Sequence, residues 1–179
     1  MTAHPSRFRP RLLWVLALSA ALTGCATMQS HDKTATDMQT AGRSGGIPAA
    51  LASLESTAKT EEEKTALLFN MERGELLRMD RRYPDSTNAF LLADNKVKEW
   101  EETAKTNPSK LMGTVGAALV SERLKVYEGQ DYEKVWLTTR LALNRMAVGD
   151  FENARVDIKR THEREAIIAE FRAKETLAA

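Results

Sequence analysis

Phe90, Ala93, Val97, Trp100 and Ala104 follow one another at steps of three and four residues. That spacing lines one stripe of a helix with 3.6 residues per turn, whereas strand periodicity would scatter the five over both faces of a sheet. The punctuation on either side agrees with a helix. Tyr83-Pro84 suits its first turn, because proline lacks a donor that this position would leave unpaired anyway, and Asn107-Pro108 ends it. With only 9 Gly and 5 Pro in 179 residues, few interior positions interrupt such elements. The abundant Ala, Leu, Glu, Lys and Arg lose little side-chain freedom in a helix. The chain is therefore expected to be all-α, with about five or six helices.

The same signals place the other elements. Pro48 to about Ala58 is predicted helical, with Ala50, Leu51 and Leu54 on one side. Thr60-Glu61-Glu62-Glu63 has the form of a capping box, in which hydroxyl and carboxylate satisfy each other's backbone donors. A helix from there to about Met79 would turn Leu67, Met71, Gly74 and Leu77 inward. Asp131 is expected to cap a helix through about Val148, and Gly149 to supply the left-handed residue that ends it. Asp150 would then cap a last helix with Phe151, Ala154 and Ile158 on its inner face. The interleaved charges of 155–165 predict a solvated face carrying weak ion pairs. The apolar run Leu111–Val120 fits either a short buried helix or a buried extended segment. Leu111, Val115, Leu119 and Val120 are expected to be covered by flanking helices; an exposed docking surface is the alternative. Ten residues are too few to span a bilayer.

The amino terminus carries a different message. Arg7, Arg9 and Arg11 precede the apolar run Leu12–Leu22, which ends in Leu22-Thr23-Gly24-Cys25, the only cysteine of the chain. Together these features resemble an export signal ending in the lipobox of bacterial lipoproteins. That resemblance implies a diacylglyceryl group on the Cys25 thiol, cleavage before Cys25 and acylation of the new amino terminus. Each buried methylene contributes about 0.8 kcal/mol, so two or three chains hold a protein on a membrane without spanning it. Ala26 stands where an Asp would resemble an inner-membrane retention signal, which implies the periplasmic face of an outer membrane. Residues 26–46 are polar with almost no large apolar side chain, and are expected to form a flexible tether. The predicted organisation is thus 1–24 signal peptide, 25–46 lipidated cysteine and tether, and 47–179 helical domain. Without residues 1–24 the chain has 23 basic and 25 acidic side chains. That balance lacks the concentrated positive charge nucleic-acid binding requires.

Self-comparison adds a repeat. Met79-Asp-Arg-Arg-Tyr-Pro-Asp-Ser-Thr-Asn-Ala-Phe90 parallels Val148-Gly-Asp-Phe-Glu-Asn-Ala-Arg-Val-Asp-Ile158, and Tyr83 stands 68 residues before Phe151. Twice 34 is 68, and 34 is the period of tetratricopeptide repeats. Gly74, Tyr83, Ser86, Phe90 and Ala93 resemble that family's pattern of small and large residues in one unit. Ala142, Phe151, Ala154, Ile158 and Thr161 do so in another, and Gly46–Leu54 is similar to the second half of an earlier unit. Asn70 and Thr138 stand where the family places an aromatic, and 106–130 does not match. Tyr127–Val135 and Leu141–Val156 further resemble a family of bacterial tetratricopeptide-like lipoproteins, over roughly residues 46–165. The resemblance implies other envelope lipoproteins as partners, including types related to the curli secretion lipoprotein and to penicillin-binding-protein activators.

Residues able to carry chemistry are sparse. His4 lies in the predicted signal and His31 in the predicted tether, leaving His162, with Glu165 one turn away; a metal site wants three or four ligands. No phosphate-binding loop or nucleophile motif is present. Glu61–Glu63 and Glu99–Glu102 offer carboxylates on apparently polar faces. The expectation is a non-enzymatic module that binds or scaffolds other envelope proteins, with no cofactor, no metal and no catalytic residue. The alternative is a cell-wall-acting enzyme using paired carboxylates.

Overall fold

The structure, a computed structural model, describes residues 31–111 and 127–178. Every regular element among them is an α-helix: α1 His31–Glu55, α2 Glu61–Thr65, α3 Leu67–Met79, α4 Tyr83–Thr106, α5 Asp131–Ala147 and α6 Phe151–Ala178. A further helical stub covers 108–111. The predicted cleavage site, Cys25, and the apolar positions Val115, Leu119 and Val120 lie outside the described residues.

Consecutive helices pair. α3 packs along α4 and α5 along α6, while α5 also lies against α4 and α1 against α3. The stripe Phe90, Ala93, Val97, Trp100 and Ala104 is buried throughout, as its spacing required. Its upper part meets Leu67 and Met71 of α3 and Leu137 and Leu141 of α5. Its lower part, Trp100 and Ala104, meets Ile168 and Phe171 of α6. Both ends are keyed by edge-to-face aromatic pairs, Phe90 on Trp136 at 5.8 Å and Trp100 on Phe171 at 5.3 Å. A third cluster joins Leu51 of α1, Leu77 of α3 and Ala89 of α4.

The two hairpin turns are built alike. After α3 the chain passes through Arg81 in the left-handed region (φ 59°), and the Arg82 N–H donates to Leu77 O at 2.9 Å. After α5, Gly149 takes the same place (φ 81°), and the Asp150 N–H donates to Arg145 O at 2.8 Å. Both bonds recover a carbonyl that the helix end would leave orphaned. Arg81 and Gly149 are 68 residues apart. Glycine meets the conformational demand freely; arginine pays steric strain for it.

Four expectations need correction. Residues 31–45, expected to belong to a flexible tether, are helical as the first part of α1. Gly46 (φ 73°, ψ −166°) then bends the chain sharply enough that a Cβ on Gly42 would sit 3.4 Å from the Ala50 Cβ. Small residues let this arm fold back, giving a polar stretch the packed neighbour its composition lacks. Pro48 opens the second part, where Ala50, Leu51 and Leu54 are buried as expected. The helix from Thr60 has its capping box but breaks at Ala66 (ψ 142°). Asn70 Nδ2 caps that break, donating to Lys64 O at 2.7 Å and Ala66 O at 3.0 Å. An amide thus takes the place of an aromatic. The N-cap of α5 is Gln130, not Asp131: Gln130 and Glu133 form a reciprocal box, which leaves Asp131 to bind Arg172 at 2.6 Å. On α6, Ala154 is buried but Phe151 and Ile158 are 60% and 45% exposed.

Gly74 has a packing role that can be checked. A Cβ there would lie 2.5 Å from the fully buried Phe90 ring. Gly74→Ala should destabilise by about 1–3 kcal/mol, the cost of overpacking, despite alanine's better helix propensity. Urea unfolding measures it; a stabilised variant would mean that α3 and α4 are not in contact at this point.

Candidate functional site

α6 is rotated away from its expected orientation by charge. Its buried stripe runs Ala154, Asp157, Arg164, Ile168 and Phe171. Arg155–Glu152 and Lys159–Glu163 do form exposed ion pairs, as expected for 155–165, but Asp157 and Arg164 are sealed inside. Their counterpart is Asp94, wholly buried within the apolar stripe of α4. Arg164 Nη2 donates to one Asp94 oxygen at 2.9 Å. Arg160 Nη2 donates to the other at 2.5 Å, and Lys98 Nζ lies 3.0 Å from it.

The pairing continues in both directions. Arg164 Nε donates to Glu101 at 2.5 Å and Nη1 to the Lys134 carbonyl at 2.9 Å. Arg160 reaches Asp157 at 3.2 Å, and Asp157 accepts from Arg145 at 2.6 Å. Arg145 closes on Asp150 at 3.1 Å, beside the second hairpin turn. Acids and bases alternate from Asp150 to Glu101, stitching α4, α5 and α6 together. Burial raises the Asp94 pKa, but the Arg160 hydrogen bond and the charges of Arg164 and Arg160 outweigh it and hold the carboxyl below the usual aspartate range. Lys134 is also buried; burial pushes its pKa down, against the opposing pull of Asp131. Its ammonium caps the Trp100 ring at 3.9 Å and donates to Gly129 O at 2.9 Å.

Neutral contacts tie the other helices. Ser86 Oγ donates to Gly74 O at 2.7 Å and accepts from Asn144 Nδ2 at 2.8 Å, joining α3, α4 and α5. Thr161 Oγ1 donates to Thr138 Oγ1 at 2.9 Å, joining α6 to α5. Thr138, like Asn70, is a buried polar residue where the repeat pattern places an aromatic.

Among the described residues, two of the open surfaces carry large apolar side chains. One is the bare side of the second hairpin, with Phe151 and Ile158 exposed. Phe90, 68 residues before Ile158, is wholly buried because Leu137, Leu141 and Trp136 of α5 cover it. No described helix follows α6 to do the same for Ile158. The other is a groove of about 400 Å³ beside Trp100, bordered by the α2–α3 break, α4, Leu111 and Tyr127.

The carboxylates considered for catalysis are dispersed. Glu63 is engaged as the capping-box acceptor, and hydrogen bonds from the Thr60 and Lys59 backbone lower its pKa. Glu101 binds Arg164, while Glu99 lies 3.2 Å from Lys96. Glu62 and Glu99 both reach the rim of the groove; Glu61 pairs with Lys64 and Glu102 is exposed. His162 is exposed, 3.4 Å from Glu165. Among the described residues no three His, Cys, Asp or Glu side chains gather as a metal site, and no helix is long and apolar enough to cross a membrane. No known family, curated protein or solved structure matches the chain.

The buried aspartate sets the acid behaviour. Because its folded pKa is depressed, its contribution is complete above the unfolded value of about 3.9 and is lost as pH falls through the folded pKa. Asp131 acts in the same direction. Asp94→Asn should cost about 3–5 kcal/mol at neutral pH by leaving buried arginines unpaired. The gap to wild type should narrow as pH falls below about 4, where the unfolded chain's carboxylate takes up a proton that the folded one still resists, and should close once the folded carboxylate is itself protonated. Denaturation across pH measures this; a gap constant to about pH 2 would contradict an ionised Asp94.

Proposed function

We propose that the protein is a lipid-anchored, periplasm-facing scaffold of the bacterial outer membrane, docking another envelope protein on the bare side of its second hairpin. The anchor is Cys25, with residues 1–24 as its export signal. The hairpins are tetratricopeptide-like units, and the partner is an envelope protein or lipoprotein that offers an amphipathic helix. One observation carries this reading: Phe90 is sheathed by the next helix, while its counterpart Ile158 is 45% exposed, with Phe151 beside it on the same helix face at 60%. Stacked helical pairs bury each unit against its neighbour, so a hairpin face left exposed among the described residues offers a helix the surface that α5 occupies in the first. Arg155, Lys159 and Glu165 on the same exposed side of α6 supply a polar rim of both signs.

Full-length protein expressed in a diderm bacterium tests both halves of the proposal. Fatty-acid label should enter the wild type and be absent from Cys25→Ser. Phe151→Glu with Ile158→Glu should abolish crosslinking to the envelope partner while leaving the melting temperature within the small range usual for exposed substitutions. Equal labelling refutes the anchor, and undiminished crosslinking refutes the docking face. Hydrolysis of peptidoglycan that disappears in Glu62→Gln or Glu99→Gln would replace the scaffold with the cell-wall enzyme.

A further inference from the structure

We infer that α1 is a jointed strap: folded at Gly46, its arm 31–45 keeps the body close to the membrane, and opening the joint lets the body stand off. The inference rests on Cys25 as the anchor and on nothing at the Phe151–Ile158 face. Gly46 sits at φ 73°, ψ −166°, a region that only glycine enters freely. The bend brings together positions that a straight helix would hold apart. Along a straight axis Gly42 and Ala50 would be about 12 Å apart, at about 1.5 Å per residue. Here a Cβ on Gly42 would lie 3.4 Å from the Ala50 Cβ. At Gly45 the approach is closer still, since a Cβ there would come within 2.6 Å of the Ala49 Cβ, nearer than two such carbons can stand. The fold-back therefore demands glycine where a plain helical tether would be better served by alanine.

The arm is lightly held. None of residues 33–45 is buried, and the Lys33–Asp37 ion pair lies within the arm itself and is exposed. A helix of this length is marginal by itself, and segments with few buried contacts open at low cost in free energy. The buried Ala50, Leu51 and Leu54 begin only beyond the joint, so the arm can leave while the helices that follow stay packed. Its position sets the reach of the anchor. With the arm folded, residues 26–30 separate Cys25 from it, and a chain of that length extends to about 18 Å at most. With the arm released, residues 26–45 form the tether, and the limit rises to about 70 Å. The docking face is thus carried close to the lipid in one position and free of it in the other.

Two readouts separate the joint from the anchor. In the full chain carrying Cys25→Ser, spin labels attached through Lys33→Cys and Ala52→Cys, both exposed positions, report the joint without any lipid. A straight helix would hold these sites about 28 Å apart. The native joint should give a clearly shorter distance, which Gly46→Ala should lengthen and broaden. Gly45→Ala, which blocks the same fold-back without touching the joint residue, should do likewise. A distribution unchanged in both variants would overturn the joint. Both should melt as the wild type does; a lowered melting temperature would make the arm part of the core and overturn its release. For reach, the acylated full-length chain with a dye on Ala52→Cys is placed on vesicles of phosphatidylethanolamine and phosphatidylglycerol containing a rhodamine-labelled lipid. Acylation closes Cys25 to the dye. Gly46→Ala should lose most of the energy transfer to the lipid, and equal transfer would overturn the strap. A chain that does not stay on the vesicles would refute the anchor, and the reach claim with it, while the spin labels still judge the joint.

Discussion

A carboxylate cut off from water constrains every helix that supplies its partners. Asp94 belongs to the same face of α4 as Phe90 and Val97, and its charge is met by Arg164 and Arg160 from α6 as well as by Lys98 of its own helix. Such an arrangement adds little net stability compared with a well-packed apolar substitute, since both ions are desolvated. Its effect is on alternatives. Rotating α6 by one residue would withdraw the two arginines and leave the buried Asp94 with Lys98 of its own helix. The ion pairs thereby set which face of α6 turns inward, and Phe151 and Ile158 are left outside as a consequence.

Around this constraint the neutral contacts refine position. Gly74 admits the Phe90 ring, Ser86 bridges α3 to α5 through Asn144, and Thr161 meets Thr138. Each is a small or polar residue placed where two helices approach closely. The Asp150–Arg145 pair extends the charge chain to the second turn, so the helix orientation and the turn geometry are coupled.

Much of the helical layout was legible in the sequence, because it depends on local rules. The stripe from Phe90 to Ala104, the Thr60 capping box, the Tyr83-Pro84 start and the Gly149 turn all involve residues within a few turns of each other. The departures come from longer range. Asp94 and Arg164 are 70 residues apart, and nothing in the local pattern of 155–165 distinguishes the sealed Arg164 from the solvated Arg155. A signal did exist: Asp94 interrupts the apolar stripe of α4, and a charge there demands a partner from another helix. The helical arm 31–45 was hidden for a similar reason, since its support comes from folding back at Gly46, not from its own composition. Asn70 and Thr138 were noted as missing aromatics; their value as buried donors and acceptors emerged only from their neighbours.

The claim that Asp94 and Arg164 orient α6 is tested most directly by a double-mutant cycle of Asp94→Leu and Arg164→Leu, read by urea denaturation. Each single substitution should cost about 3–5 kcal/mol, because it strands a buried charge. The double variant should recover a coupling energy of at least about 2 kcal/mol relative to the sum. Losses that add to within about 0.5 kcal/mol would mean that the two side chains act independently, and that α6 owes its orientation to something else.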